Sequence, residues 1–149
     1  MIALDSAADT HEFGRRLAAV LRAGDLVLLT GPLGAGKTAL VQGIGAGLGV
    51  DGRVVSPTFV IARVHRGDPP LVHVDAYRLG SFDEVDDLDL DVSTDQAVTV
   101  VEWGTGKVEQ LADSHLEIEI ERAADSEQRV ARLIPHGGDW AERIAPFVG

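Results

Sequence analysis

Apolar residues near the start of the chain recur at helical spacing. Phe13, Leu17, Val20 and Leu21 fall on one face of a helix that Thr10 would cap and that runs to about Arg22, with Gly24 as its stop. The pattern then changes. Leu26-Val27-Leu28-Leu29 is an unbroken apolar run of strand length, which predicts a strand covered on both faces, as in the parallel sheets of α/β proteins. A glycine-rich turn follows from Gly31 to Gly36, and Leu40, Val41, Ile44 and Leu48 then restore the helical period up to Gly49. Gly43, Gly45 and Gly47 each weaken that helix by about 1 kcal/mol relative to Ala, a cost that close packing on the sheet would explain.

In the second half, Phe59 to Val64 and Leu71 to Val74 read as strands joined loosely through Arg66-Gly67-Asp68-Pro69-Pro70. Ala97 to Val101 is another apolar run. His115-Leu116-Glu117-Ile118-Glu119-Ile120 alternates as a half-exposed strand does, and Arg129 to Ile134 can return antiparallel to it. A short closing helix is expected from Trp140 to Phe147. The order of strand, phosphate-type turn, helix and further strands predicts an α/β protein: a P-loop NTPase-like three-layer fold with a mixed, mainly parallel sheet and an antiparallel C-terminal strand pair.

Composition narrows the class. At 149 residues and 45% apolar content, residues 1–149 fit a single domain with a sizeable core. The 24 acidic residues outnumber the 13 basic ones, for a net charge of −11, which disfavours a free-standing nucleic-acid binder that works by phosphate neutralisation. The absence of cysteine removes disulfides, thiol nucleophiles and cysteine-ligated metals. No apolar run approaches the roughly 20 residues of a membrane span, and no signal peptide is evident, so a cytoplasmic protein is expected. The acidity is concentrated: residues 79–106 hold eight acids and no Lys or Arg, most of them between Asp83 and Asp91. Such a stretch is either a solvated acidic face or a docking face that keeps nucleic-acid phosphates away.

Gly31-Pro32-Leu33-Gly34-Ala35-Gly36-Lys37-Thr38 satisfies the P-loop pattern, after an apolar strand and at the start of a helix. Glycines let such a loop curl its N–H groups inward, and the helix N-terminus adds positive potential. Lys37 would bridge the β- and γ-phosphates, and Thr38 would offer its hydroxyl to Mg²⁺. The chain has no asparagine, so it cannot supply the Asn-Lys-x-Asp motif that reads guanine; ATP is the expected nucleotide. Two apolar strands deliver an acid to their carboxyl ends, Leu71-Val72-His73-Val74-Asp75 and Ala97-Val98-Thr99-Val100-Val101-Glu102, where ligands collect in open α/β sheets. Ser56-Pro57-Thr58 stands where P-loop proteins keep a γ-phosphate-sensing segment, although an ordinary turn reads the same way. Trp103 could cover a nucleotide or simply pack. His73 reads as a buried, hydrogen-bonded histidine rather than a catalytic base.

Taken in order, Gly34-Ala35-Gly36-Lys37-Thr38, Ser56-Pro57-Thr58-Phe59, His73-Val74-Asp75-Ala76-Tyr77-Arg78 and Val101-Glu102-Trp103 resemble the TsaE (YjeE) family. These are small bacterial P-loop ATPases required for threonylcarbamoyladenosine modification of tRNA at position 37 of ANN-decoding tRNAs. The resemblance spans roughly residues 10–103. It implies that Lys37 and the loop Leu33, Gly34, Ala35, Gly36 and Thr38 hold the triphosphate of ATP, and that Thr38 and Glu102 ligate Mg²⁺. It also implies that Ser56 and Thr58 form the switch segment, that Asp75 is an essential carboxylate, and that Trp103 lies near the nucleotide. Tyr77 and Arg78 belong to the same signature, and Arg129 is a further candidate to reach the nucleotide. Pro32 and Ala39 depart from the family's usual Asp and Thr or Ser; neither change removes a phosphate-binding side chain, but Pro32 removes one backbone N–H.

The implied activity is slow, partner-dependent ATP hydrolysis that resets the transferase formed by TsaD and TsaB, with tRNA touched only indirectly and neither DNA nor membrane involved. Two other classes compete with it. A small-molecule or nucleotide kinase also pairs a P-loop with a parallel sheet, but residues 79–106 contain no base for an arginine lid. A non-hydrolysing, ATP-dependent interaction module is the second; two acids at strand ends favour Mg²⁺ chemistry over it.

Overall fold

A computed structural model describes residues 2–31, 37–50, 62–67, 69–75, 96–102, 114–122 and 128–147. After strand β1 (Ile2–Leu4), the Ser6 hydroxyl accepts the Asp9 N–H at 3.1 Å, and the Asp9 carboxylate accepts the Asp5 N–H at 3.2 Å. The first contact is the N-cap of helix α1 (Ala7–Leu17), and the second satisfies the backbone N–H of the residue just before the cap. The sequence pointed to Thr10 as the cap; it lies instead inside the helix, buried, with its hydroxyl donating to the Ser6 carbonyl at 3.2 Å. The helix also stops short of Arg22, tightening into a 3-10 turn at Ala18–Val20 before Leu21 becomes extended.

The remaining elements are β2 (Leu26–Thr30), α2 (Lys37–Gly47), β3 (Ala62–His65), β4 (Leu71–Asp75), β5 (Val98–Glu102), β6 (His115–Arg122), β7 (Arg129–His136) and α3 (Trp140–Arg143), with a final 3-10 turn at Ala145–Phe147. Among the described residues the strands form one seven-stranded sheet in the order β1-β7-β6-β2-β5-β4-β3. The central four, β6-β2-β5-β4, run parallel, while β3, β7 and β1 each pair antiparallel with their neighbours. The expected antiparallel C-terminal pair is β6–β7, and the expected loose hairpin is β3–β4. β1 had no signal in the sequence: three residues are too few for a period, and the strand exists because β7 offers it a sheet edge. Residues 59–61 of the strand predicted from Phe59 to Val64 lie outside the described residues.

Every residue of β2 from Leu26 to Leu29 is buried, as the unbroken apolar run requires. Val27 and Leu29 share one face with Val98, Val100, Leu116, Ile118 and Ile120, and join a single core with Phe13 and Leu17 of α1, Leu40, Val41 and Ile44 of α2, and Trp140 of α3. Leu28, Val72, Val74 and Val101, on the opposite face, are equally buried, so the central strands are covered on both sides.

The glycines of α2 are explained by a neighbouring helix, which corrects the expectation of sheet packing for Gly43 and Gly47. A Cβ on Gly43 would collide with the backbone carbonyl of His11 in α1, and one on Gly47 would sit 2.6 Å from the Arg15 carbonyl oxygen. Gly14 returns the contact, since a Cβ there would lie 2.9 Å from the Ile44 nitrogen. The two helices therefore meet backbone to backbone. No helix among the described residues is long and apolar enough to cross a membrane.

Candidate functional site at the carboxyl edge of the sheet

β2 ends at Thr30, and Gly31 follows with φ 150°, a backbone conformation that L side chains rarely adopt. α2 begins at Lys37; residues 32–36 are not among the described residues. Lys37 is buried to 6% exposure and its Nζ donates to the Gly31 carbonyl at 2.8 Å. The ammonium thus reaches back across the segment to the residue that opens it. Thr38, the next residue of α2, is exposed. A helix N-terminus and a lysine ammonium meet at the carboxyl end of the central strand, where both favour an anion.

Two strands of the sheet contribute acids to the same edge. In the parallel register Leu29 of β2 is paired with Glu102 of β5, and Glu102 with Asp75 of β4. Glu102 and Asp75 are each the last residue of their strand, one and two strands away from β2. Glu102 is 7% exposed and shares the face of Leu29 and Val100, the one α2 packs against. Hydroxyl and carboxylate oxygens are the hard donors that Mg²⁺ selects, and Mg²⁺ takes few of them from protein, completing its shell with phosphates and water. Among the described residues no group of three or more His or acidic side chains forms a metal cage; Thr38 and Glu102 fit the sparser pattern in which a nucleotide supplies further ligands.

His73 is the surprise of this edge. It lies two residues before Asp75 on β4, is entirely buried, and places Nε2 3.6 Å from Glu102 Oε1. It is buried as expected, but the expected hydrogen bond is absent: neither ring nitrogen has a hydrogen-bond partner among the described residues. Leaving a buried polar group unpaired costs about 1–3 kcal/mol. The period of two in His73-Val74-Asp75 sets His73 on the same face of β4 as position 75, but only the register of β4 on β5 brings it beside Glu102.

Arg129 opens β7, half-buried, in register with Arg122 at the carboxyl end of β6 and with Leu4. That is the same edge of the sheet, two strands from β2 on the side away from Glu102. The structure therefore brings Lys37, Thr38, Asp75 and Glu102 to one edge and leaves Arg129 further along it. Leu33, Gly34, Ala35, Gly36, Ser56, Thr58 and Trp103 lie outside the described residues, as do Pro32, Tyr77, Arg78 and the acidic stretch from Asp83 to Asp91.

These features define an α/β protein with a mixed, mainly parallel sheet and a lysine-led helix rising from the carboxyl end of its central strand. Residues 4–131 match the family model described as threonylcarbamoyl adenosine biosynthesis protein TsaE. A tRNA threonylcarbamoyladenosine biosynthesis protein TsaE from Streptomyces coelicolor is 61% identical over 138 residues, covering 88% of this chain and 93% of the relative. Its counterpart from Mycobacterium tuberculosis is 50% identical over 133 residues, covering 83% and 79%. The crystal structure of Bacillus subtilis YdiB superposes with a TM-score of 0.76 at 30% identity, over 99% of this chain and 91% of that one. The chain belongs to the TsaE family.

Proposed function

We propose that this protein is an ATP-binding, slowly hydrolysing accessory protein for threonylcarbamoyladenosine modification of tRNA, acting on a TsaB–TsaD transferase complex to permit repeated turnover. The observation that most supports the reading is the meeting of Lys37 Nζ with the Gly31 carbonyl at the mouth of the loop, on the edge that also carries Glu102 and Asp75. Lys37 and the backbone of residues 33–38 hold the triphosphate, the ammonium exchanging its carbonyl partner for phosphate oxygens. Thr38 and Glu102 hold Mg²⁺, which when bound neutralises charge on the β- and γ-phosphates. Asp75 orients the attacking water or the outer shell of the metal. Ser56 and Thr58 report the γ-phosphate to the partner, and Trp103 lies against the nucleotide.

The relatives are named for threonylcarbamoyladenosine biosynthesis in tRNA. A chain with net charge −11 reaches that process through a protein complex more readily than by gripping tRNA itself. The test is to measure ATP and GTP hydrolysis by the protein alone, with TsaB–TsaD, and with Lys37→Ala, while scoring modified tRNA over many turnovers. ATP hydrolysis that is slow alone, faster with the complex and lost in Lys37→Ala is expected, with modification stalling when the protein is omitted. Modification that continues unchanged without it overturns the proposal, and phosphate transfer to a metabolite identifies a kinase instead.

A further inference from the structure

We infer that His73 is a positioning residue for Glu102: its Nε2–H holds one carboxylate oxygen so that the other is presented at the sheet edge for Mg²⁺. The inference rests on the reading of Glu102 as a metal ligand.

His73 sits in a strand whose buried neighbours are Leu71, Val72 and Val74, and an apolar side chain would fill its place without desolvating two nitrogens. Both nitrogens lack a hydrogen-bond partner among the described residues, and among the described side chains Glu102 is an acid beside the ring, with Oε1 at 3.6 Å from Nε2. That separation exceeds a hydrogen bond by about 0.7 Å, the gap that the Glu102 carboxylate has to close when it takes up the metal. Catalytic contacts of this kind are commonly long before ligands bind and tighten afterwards. Glu102 has little other freedom, because its side chain is only 10% exposed. Fixing one oxygen on an imidazole N–H removes the rotamers that turn both oxygens away from the edge. Such outer partners of metal ligands typically contribute 10–100-fold in metal affinity or activity.

The experiment compares wild type, His73→Leu, His73→Gln and Glu102→Gln by Mn²⁺ electron paramagnetic resonance in the presence of ADP, by nucleotide binding without metal, and by the Mg²⁺ concentration that half-saturates hydrolysis. Mn²⁺ affinity and Mg²⁺ half-saturation are expected to worsen about 10–100-fold in His73→Leu, with metal-free nucleotide affinity unchanged. His73→Gln, whose amide N–H reaches to about the depth of Nε2, is expected to recover most of the loss. If His73→Leu binds Mn²⁺ as wild type does while Glu102→Gln does not, the positioning role is overturned and the ligand reading stands. If Glu102→Gln also binds Mn²⁺ normally, both fail. A second measurement needs no variant at His73: the ¹⁵N–¹H spectrum of the wild-type imidazole should show an exchange-protected Nε2–H that shifts in Glu102→Gln. A ring signal indifferent to Glu102 overturns the proposal.

Discussion

Asp75 and Glu102 are register partners at the last positions of adjacent parallel strands, beside the strand that leads into the Gly31–Lys37 segment. Neighbouring strands lie about 4.8 Å apart, so the register sets these two positions side by side at the carboxyl edge of the sheet. Asp75→Asn and Glu102→Gln should each lower Mg²⁺-dependent ATP hydrolysis on the order of 100-fold, measured by phosphate release, while nucleotide binding without metal persists.

Gly43 of α2 makes the helix contact a steric requirement. Because a Cβ there meets the His11 carbonyl, and backbone cannot rotate away as a side chain can, Gly43→Ala should cost about 1–3 kcal/mol or more in urea unfolding. Gly49→Ala is the control. Its Cβ meets nothing within 4 Å, and only the φ of +75° opposes it, so about 1–2 kcal/mol is expected.

Arg143 ties the end of the chain to the entry of β2. Its guanidinium donates to the Val20 carbonyl at 3.1 Å and to Asp25 at 3.2 Å, with its Cζ 3.9 Å from the centre of the Trp140 ring. Side-chain exposures of 8% for Arg143 and 13% for Asp25 make this a largely desolvated pair. Arg143→Ala should lower unfolding free energy by about 3–5 kcal/mol, since it leaves a carboxylate without its cation. Arg143→Lys should recover little, because an ammonium cannot bridge the carbonyl and the carboxylate while stacking on indole.

The Arg15 guanidinium, bound to Glu12 through hydrogen bonds of 2.5 and 2.8 Å, holds the Glu12 carboxyl below its ordinary value. A depressed carboxylate adds stability above its unfolded pKa and loses it as pH falls through the folded one. Both side chains are half-exposed, so solvent screens the pair. Thermal melts of Glu12→Gln and wild type, taken from pH 7 down to pH 3, should therefore nearly coincide, the small wild-type advantage at neutral pH vanishing at the acid end.

Much of the candidate site was legible because its chemistry follows the chain. A loop motif placed between an apolar strand and a helix needs no tertiary information to locate Lys37 at the helix start, and an apolar run ending in an acid puts Asp75 and Glu102 at strand ends. Thr10 misled because Ser6, four residues earlier, is equally able to cap and accepts the Asp9 N–H, which starts the helix one turn before the apolar period begins.

The sequence by itself pointed to the strands and helices apart from β1, to the two-sided burial of an all-apolar β2, and to the candidate groups for a phosphate and a cation. These follow from local periodicity and turn chemistry. Only the tertiary structure decided that β5 and β4 lie beside β2 in an order that sets Glu102 against Asp75, that β1 finds an edge on β7, and that Gly43 faces α1 rather than the sheet. It also turned His73 from a core histidine into the neighbour of Glu102. Strand order and helix contact join residues far apart in the chain, and no local spacing records which distant partner wins the buried position.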